Sequence, residues 1–318
     1  MKDLFGTEIV EKTVRINIYA DEVQSKECPY TKEKWHYIGI IVEDVENPLL
    51  DDIINERYCN NFDITSPFYK KNDRIVHWSE LNDRDVKNIC KRWIEYILNP
   101  VKSEKKFYGY ILGINDSKLN REEFALKGQF NSKYNRFFRS AVLYALKSFF
   151  PKKKIIVENI FHETGQQKHD EYFPWHCVYK IQLKEKNISF NCNKIVFLPK
   201  SHREDRRANL IQLCDAFLGV CTSIIHGIEK SRRSEYRIEL TDLFFPLFKE
   251  MIKESYNKQS YYKHSGRIMT RFFPKEKTKP DDIRRLKNQF YTERKLHYEE
   301  QKSKQLLLFN SNFHFTPE

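Results

Sequence analysis

The run Val14-Arg15-Ile16-Asn17-Ile18-Tyr19-Ala20 alternates apolar with polar or amphipathic residues. That pattern predicts a half-buried strand with Val14, Ile16 and Ile18 on one face. Asp21 then falls in phase with Arg15, Asn17 and Tyr19 on the other face, at the strand's end. A second strand is expected over 35–42, where Tyr37-Ile38-Gly39-Ile40-Ile41-Val42 is apolar on both faces. Residues 44–73 read as an irregular insertion with a short helix. Ile75-Val76-His77-Trp78 reads as a brief strand leading into a helix over about 83–98, whose buried stripe is Val86, Ile89, Cys90, Trp93 and Ile97. Further strands are expected at 107–114, ended by Asn115-Asp116, at 155–157, ended by Glu158, and at 195–198. A long helix covers about 121–149, and 162–177 reads as a polar, histidine-rich connection. The order is β-β-β-α-β-α-β with a final helix, which implies an α/β fold: a mixed sheet with helices packed against it.

The final helix begins near Asn209. Leu210, Leu213, Cys214, Phe217, Leu218, Cys221, Ile224 and Ile225 cover most of its circumference, while Gln212, Asp215, Gly219, Thr222 and His226 recur as one narrow polar or small stripe. A carboxylate in such a helix needs a buried partner, and a metal ion or an arginine would serve. Gly219 would let the helix approach another backbone closely, with the strand carrying Asp21 as the expected neighbour. Gln212, one turn before Asp215, would hold that carboxylate or a scissile phosphate.

Charge narrows the partner. The 318 residues carry 56 Lys+Arg against 44 Asp+Glu, a net +12 with a pI near 9.2, which favours nucleic acid or another polyanion over a neutral ligand. From Asn257 onward there are 14 Lys+Arg and 7 Asp+Glu, so residues 229–318 read as a basic, mostly helical extension following a catalytic-type domain over 1–228. Its last apolar residues, Leu306-Leu307-Leu308-Phe309, Phe313 and Phe315, are expected to dock on the body, on a protein partner or on a second copy. Seven scattered cysteines without a Cys-x-x-Cys pair point to reduced thiols and a cytoplasmic setting. No leader-like segment or membrane span is expected, since the longest apolar stretch, 213–225, is interrupted by Asp215.

The segments Ala20-Asp21-Glu22, His77-Trp78-Ser79-Glu80-Leu81, Val157-Glu158 and Gln212-Leu213-Cys214-Asp215 lie in this order at strand ends and helix starts. Together they resemble domain-of-unknown-function family 3800 of the RNase H-like superfamily, over residues 14–228. The resemblance implies an RNase H-like sheet whose acids hold two divalent ions, Mg²⁺ or Mn²⁺, for hydrolysis of a DNA or RNA phosphodiester, in a defence or mobile-element context. It would make Asp21, Glu80, Glu158 and Asp215 the metal ligands and catalytic residues. Val23-Gln24 replace the family's Ser-Gly after Asp-Glu, and Glu158 stands where Asp is common. The alternative is therefore a nucleic-acid-binding or complex-forming subunit with a degenerate site.

Other readings compete residue by residue. Bare topology favours Asp116 as the strand-end ligand and the resemblance favours Glu158. Glu80 also suits the first turn of the helix after it without any catalysis. His162, His169, His176 and Cys177 invite a zinc site, but their spacing matches no ligand pattern, and a loop over the active site is the better expectation. Lys152-Lys153-Lys154 and the run from Lys200 to Arg207 are candidates for phosphate contacts.

Overall fold

The alternation of the first strand is realised over Thr13–Glu27 (β1), which pairs antiparallel with Lys34–Asp44 (β2), Asp21 lying opposite Gly39. The computed structural model describes residues 12–28, 31–119, 130–228, 234–256, 264 and 266–273. The helix start expected at 121–129 and the apolar tail at 306–315 lie outside them.

Strand β3 (Tyr108–Asn115) pairs antiparallel with β2, and β4 (Lys154–Glu163) pairs parallel with β1. Two short strands, β5 (Ile188–Phe190) and β6 (Ile195–Leu198), pair parallel with β4, and β7 (Ile268–Phe273) pairs parallel with β3. The result is a seven-stranded mixed sheet of order β5-β4-β1-β2-β3-β7, with β6 also on β4. β7 comes from the stretch expected to be a helical extension, and the compact unit that contains it runs to Pro274.

The helices are α1 (Leu50–Tyr58), α2 (Pro67–Asn72), α3 (Arg84–Leu98), α4 (Phe130–Phe149), α5 (Ala208–His226) and α6 (Ser234–Tyr256). On one face of the sheet Val14, Ile16, Ile18 and Ala20 join Ile38, Ile40 and Tyr110 in a core closed by Phe137, Phe138, Ala141 and Ala145 of α4. The other face receives α5, where a side chain at Gly39 would meet Cys214 and Leu218 at 3.3 Å. Gly227 ends α5 at φ 80°, a conformation that glycine adopts without strain, while its N–H closes the last turn on Ser223. Among the described residues α5 is the one helix long and apolar enough to cross a membrane, and it is wholly buried inside this fold.

Two expected elements differ. Residues 75–78 form no strand: Val76 N–H donates to Gln212 Oε1 and Trp78 N–H to Asp215 Oδ2, so side chains of α5 satisfy the backbone that a sheet neighbour would have satisfied. β4 does not stop at Glu158. The pairing slips from Ile16 opposite Val157 to Asn17 opposite Asn159, leaving Glu158 as the extra residue of a β-bulge, and the strand continues to Glu163. All seven cysteines are unpaired thiols.

Three buried histidines make a pH prediction. Burial pushes His36 and His162 down to about 4 and His226 to about 3, from an ordinary 6.5. The unfolded chain therefore binds protons that the folded chain refuses as pH falls from about 6.5 to about 4 for His36 and His162 and to about 3 for His226, so folding stability falls across that window and levels off, for these groups, below about 3. Urea midpoints measured from pH 7.5 downward should fall steadily below pH 6.5, and His226→Gln should reduce the slope.

Candidate active site

Parallel pairing of β1 with β4 ends at Ala20 opposite His162, so that Asp21, within β1, and Glu163, at the end of β4, lie side by side. On the other side of β4, Leu198 of β6 pairs with Glu163, which places Lys200 two residues further on, off the same end of the sheet. Helix α5 lies across β1 and supplies Asp215. The Lys200 ammonium stands 3.0 Å from Glu163, 3.1 Å from Asp215 and 3.8 Å from Asp21. Three carboxylates from three elements thus converge on one cation.

Their surroundings separate the two aspartates. Asp215 Oδ2 accepts from Trp78 N–H at 2.6 Å and lies 3.3 Å from His77 Nδ1, while Oδ1 faces Lys200. Burial works against its charge, but the His77 hydrogen bond, the Lys200 ammonium and the Trp78 amide outweigh it and hold the carboxyl below the usual range. Asp21 is 1% exposed; Oδ1 accepts from Glu22 N–H at 2.7 Å and Oδ2 has no hydrogen-bond donor. Burial first, then the adjoining Glu163 and the Asp215 charge, raise Asp21 well above the ordinary value, with Lys200 opposing them. Lys200 itself is raised, because Asp215, Asp21 and Glu163 outweigh its burial. His77 is raised, first by its hydrogen bond to Asp215, and its Nε2 lies 3.4 Å from Lys200 Nζ.

The cluster opens into a cleft of about 500 Å³. Its walls include Glu22, Lys26, Trp78, Thr164, Gly165 and Arg237. That size and mixed polarity suit a small polar ligand or a short stretch of a polymer.

Asp21 and Asp215 fall in one cluster, Asp215 on the apolar helix and Asp21 within β1, which continues to Glu27 instead of ending at Asp21 as the pattern predicts. Glu158 does not join them: it sits on the bulge, five residues or about 16 Å of strand before Glu163. There it accepts from Arg15 Nε at 2.7 Å and Asn191 Nδ2 at 2.9 Å. Asp116 is excluded by strand order, since β2 lies between β1 and the strand that Asp116 follows, and it pairs with Lys133. Glu80 is exposed on the turn Trp78–Glu80 and is not among the residues lining the cleft. Glu163 and His77 were missed as site residues, and Lys200, expected as a candidate phosphate contact, instead stands among the three carboxylates. The legible signal for Glu163 was the apolar Ile160 and Phe161 beyond Glu158, which continue the strand once one residue is assigned to a bulge.

Gln212 touches neither Asp215 nor the cleft. Its amide is fully buried: Oε1 accepts from Arg57 and Val76 N–H, and Nε2 donates to the Lys200 carbonyl and His202. It fixes the backbone on both sides of the cluster. Gly219 admits the Trp78 ring rather than a strand; a Cβ there would lie 2.1 Å from Trp78 Cγ, and the indole N–H donates to Ser223. The basic run after Lys200 is held internally, Arg203 by Asp73, Arg206 by Asp51 and Arg207 by Asp205. Lys152 to Lys154 lie at the opposite end of β4 from the cluster. His162 is a core residue, accepting from or donating to Tyr134 O–H at Nε2 and contacting the Glu163 carbonyl at Nδ1, and His169 is exposed.

Among the described residues no group of three or more His, Cys, Asp or Glu side chains is arranged to hold a metal ion. The donor chemistry nonetheless suits a hard divalent cation: the groups are carboxylates, they converge, and Asp21 Oδ2 lacks a donor. The Lys200 ammonium stands among these carboxylates. No family model, curated protein or solved structure matches this chain.

Gly219→Ala is expected to displace Trp78 and with it the amide that holds Asp215. The cost should be about 1–3 kcal/mol of stability, read as a lower urea midpoint. A variant as stable as the parent would show that the Trp78 packing is not what positions the 76–78 segment.

Proposed function

We propose that this chain is a metal-dependent phosphodiesterase acting on nucleic acid, DNA or RNA, with an RNase H-like site. The observation that carries the reading is the convergence of Asp21, Glu163 and Asp215 on one cation position at the mouth of a cleft. The parallel placement of β4 beside β1 supports the reading, because it sets Asp21 next to Glu163. Asp21, Glu163 and Asp215 would hold Mg²⁺ or Mn²⁺, with Glu163 in the role first assigned to Glu158. Bound there, the metal would supply Lewis acidity and a water of lowered pKa. A second ion and the cytoplasmic setting remain parts of the proposal that rest on the resemblance and the thiol pattern alone.

The protein's own groups divide the remaining work. Asp215, kept ionised by His77, Lys200 and the Trp78 amide, is a ready anionic ligand. Asp21, raised by burial, gives up its proton when a cation comes against it, so metal binding should tighten as pH rises. Lys200, which lines the cleft beside the three acids, would offer its ammonium to a phosphate. His77, oriented by Asp215 through Nδ1, can exchange a proton at Nε2.

One observation favours a second reading, a nucleic-acid-binding or complex-forming subunit with a degenerate site: Lys200 already neutralises the cluster from within. Metal titration separates the two. For the enzyme, Mn²⁺ or Mg²⁺ should raise the melting temperature saturably, and Asp21→Asn, Glu163→Gln and Asp215→Asn should each abolish that shift and lower cleavage of a nucleic-acid substrate at least about 100-fold. The Asp21/Asp215 double variant should lose little more than either single one. Glu158→Gln should keep both the shift and the activity. A parent protein with no metal-dependent shift, or full cleavage in Asp21→Asn, would sink the enzymatic reading.

A further inference from the structure

Lys200 faces every acid of the cluster but completes only part of it. Its ammonium is within hydrogen-bond distance of Glu163 and Asp215, at 3.0 and 3.1 Å, and 3.8 Å from Asp21 Oδ2. That Asp21 oxygen is buried and has no hydrogen-bond partner. A buried polar atom left so forfeits its hydration without return. A hard divalent ion gathers about six oxygens around itself, so it can take both the acids that Lys200 reaches and the oxygen that it does not.

Two features let the ammonium leave without disturbing the fold. The backbone of Lys200 is anchored away from the acids, since its carbonyl accepts at 2.6 Å from Nε2 of Gln212, which is fully buried. Beyond that anchor the side chain is a flexible aliphatic stem, and Lys200 lines the cleft. Departure therefore moves the stem and not the loop. The arginines that follow do not take its place, because Arg203 is held by Asp73, Arg206 by Asp51 and Arg207 by Asp205. A divalent ion held by oxygens of the same three carboxylates meets the charge that already lies among them, and two cations in one desolvated pocket repel strongly.

We propose that Lys200 is a tethered competitor for the metal: its ammonium and a divalent cation are alternative counterions of Asp21, Glu163 and Asp215, and loading the ion displaces the Lys200 side chain into the cleft. The site then has a built-in threshold. At low divalent-ion concentration the lysine holds the acids together, and above the threshold the ion replaces it. This inference rests on the metal-dependent reading given above and adds the regulation of that site.

Mn²⁺ binding to the full chain, followed by electron paramagnetic resonance of the free ion without any substrate, tests the competition. Lys200→Met keeps the stem and removes the charge, so it should bind Mn²⁺ at least about tenfold more tightly than the parent. Lys200→Arg, which keeps the charge, should bind no more tightly. If Lys200→Met does not fold, the parent protein alone decides. Brief treatment with acetic anhydride, read by peptide mass spectrometry, should label Lys200 faster with saturating Mn²⁺ than in EDTA, while the exposed Lys102 is labelled equally in both. Equal or weaker Mn²⁺ binding by Lys200→Met, or Lys200 labelling that bound Mn²⁺ leaves unchanged, would overturn the competition and leave the metal site standing. Mn²⁺ binding by Lys200→Met with none by the parent would support the competitor and sink the enzymatic reading, since the lysine would then keep the site. No Mn²⁺ binding by either would overturn both.

Discussion

A guanidinium buried beneath the helices holds the site together. Arg57 of α1 is fully buried, lies 4.9 Å over the Trp93 ring, and donates to Asn209, to Gln212 and to the carbonyls of Asn72 and Arg74. Burial lowers it to about 10, so it stays charged at neutral pH. Its hydrogen bonds are to neutral acceptors drawn from two stretches of chain, 72–74 and 209–212. A buried donor left without its acceptor costs about 1–3 kcal/mol, and a charged one costs more, so these segments are locked around it. That constraint brings α5 and the otherwise irregular 72–78 stretch into one fixed relation.

The cleft inherits its geometry from that lock. Gln212 joins Arg57 to Val76 N–H and to the Lys200 carbonyl, and Asp215, one turn later on the same face, takes Trp78 N–H. Trp78 then fills the space that Gly219 leaves, and Ser223 receives its indole. Within the polar stripe of α5, Gln212 and Asp215 thus anchor the 76–78 segment, and Asp215, Gly219 and Thr222 line the cleft. Gln-x-x-Asp spacing is what places one anchor behind the cluster and one in it.

Electrostatics explain why so basic a chain can carry an acidic pocket. Asp21, Glu163 and Asp215 would repel one another without a cation, and Lys200 supplies one from the chain itself. The arginines that follow are tied to Asp73, Asp51 and Asp205, which stiffens the loop carrying Lys200.

Period-two and period-3.6 patterns were enough to place β1, β2, α3 and α5 and to mark Asp21 and Asp215, because each signal is local: a phase along a strand, or a carboxylate on an apolar helix. Asp21 reads as a strand-end acid and Asp215 as an acid needing a partner whatever lies around them. The sheet order, Glu163 and Lys200 were settled by tertiary structure. A single bulge residue, Glu158, moves the end of β4 five residues onward, and nothing within the polar pair Glu158-Asn159 distinguishes a bulge from a strand end. The strand-like pattern of 75–78 misled for the same reason, since its backbone hydrogen bonds go to side chains some 136 positions away in the sequence. Local patterning decides which face a residue presents. Which faces meet is decided by long-range hydrogen bonds and packing that no window of sequence contains.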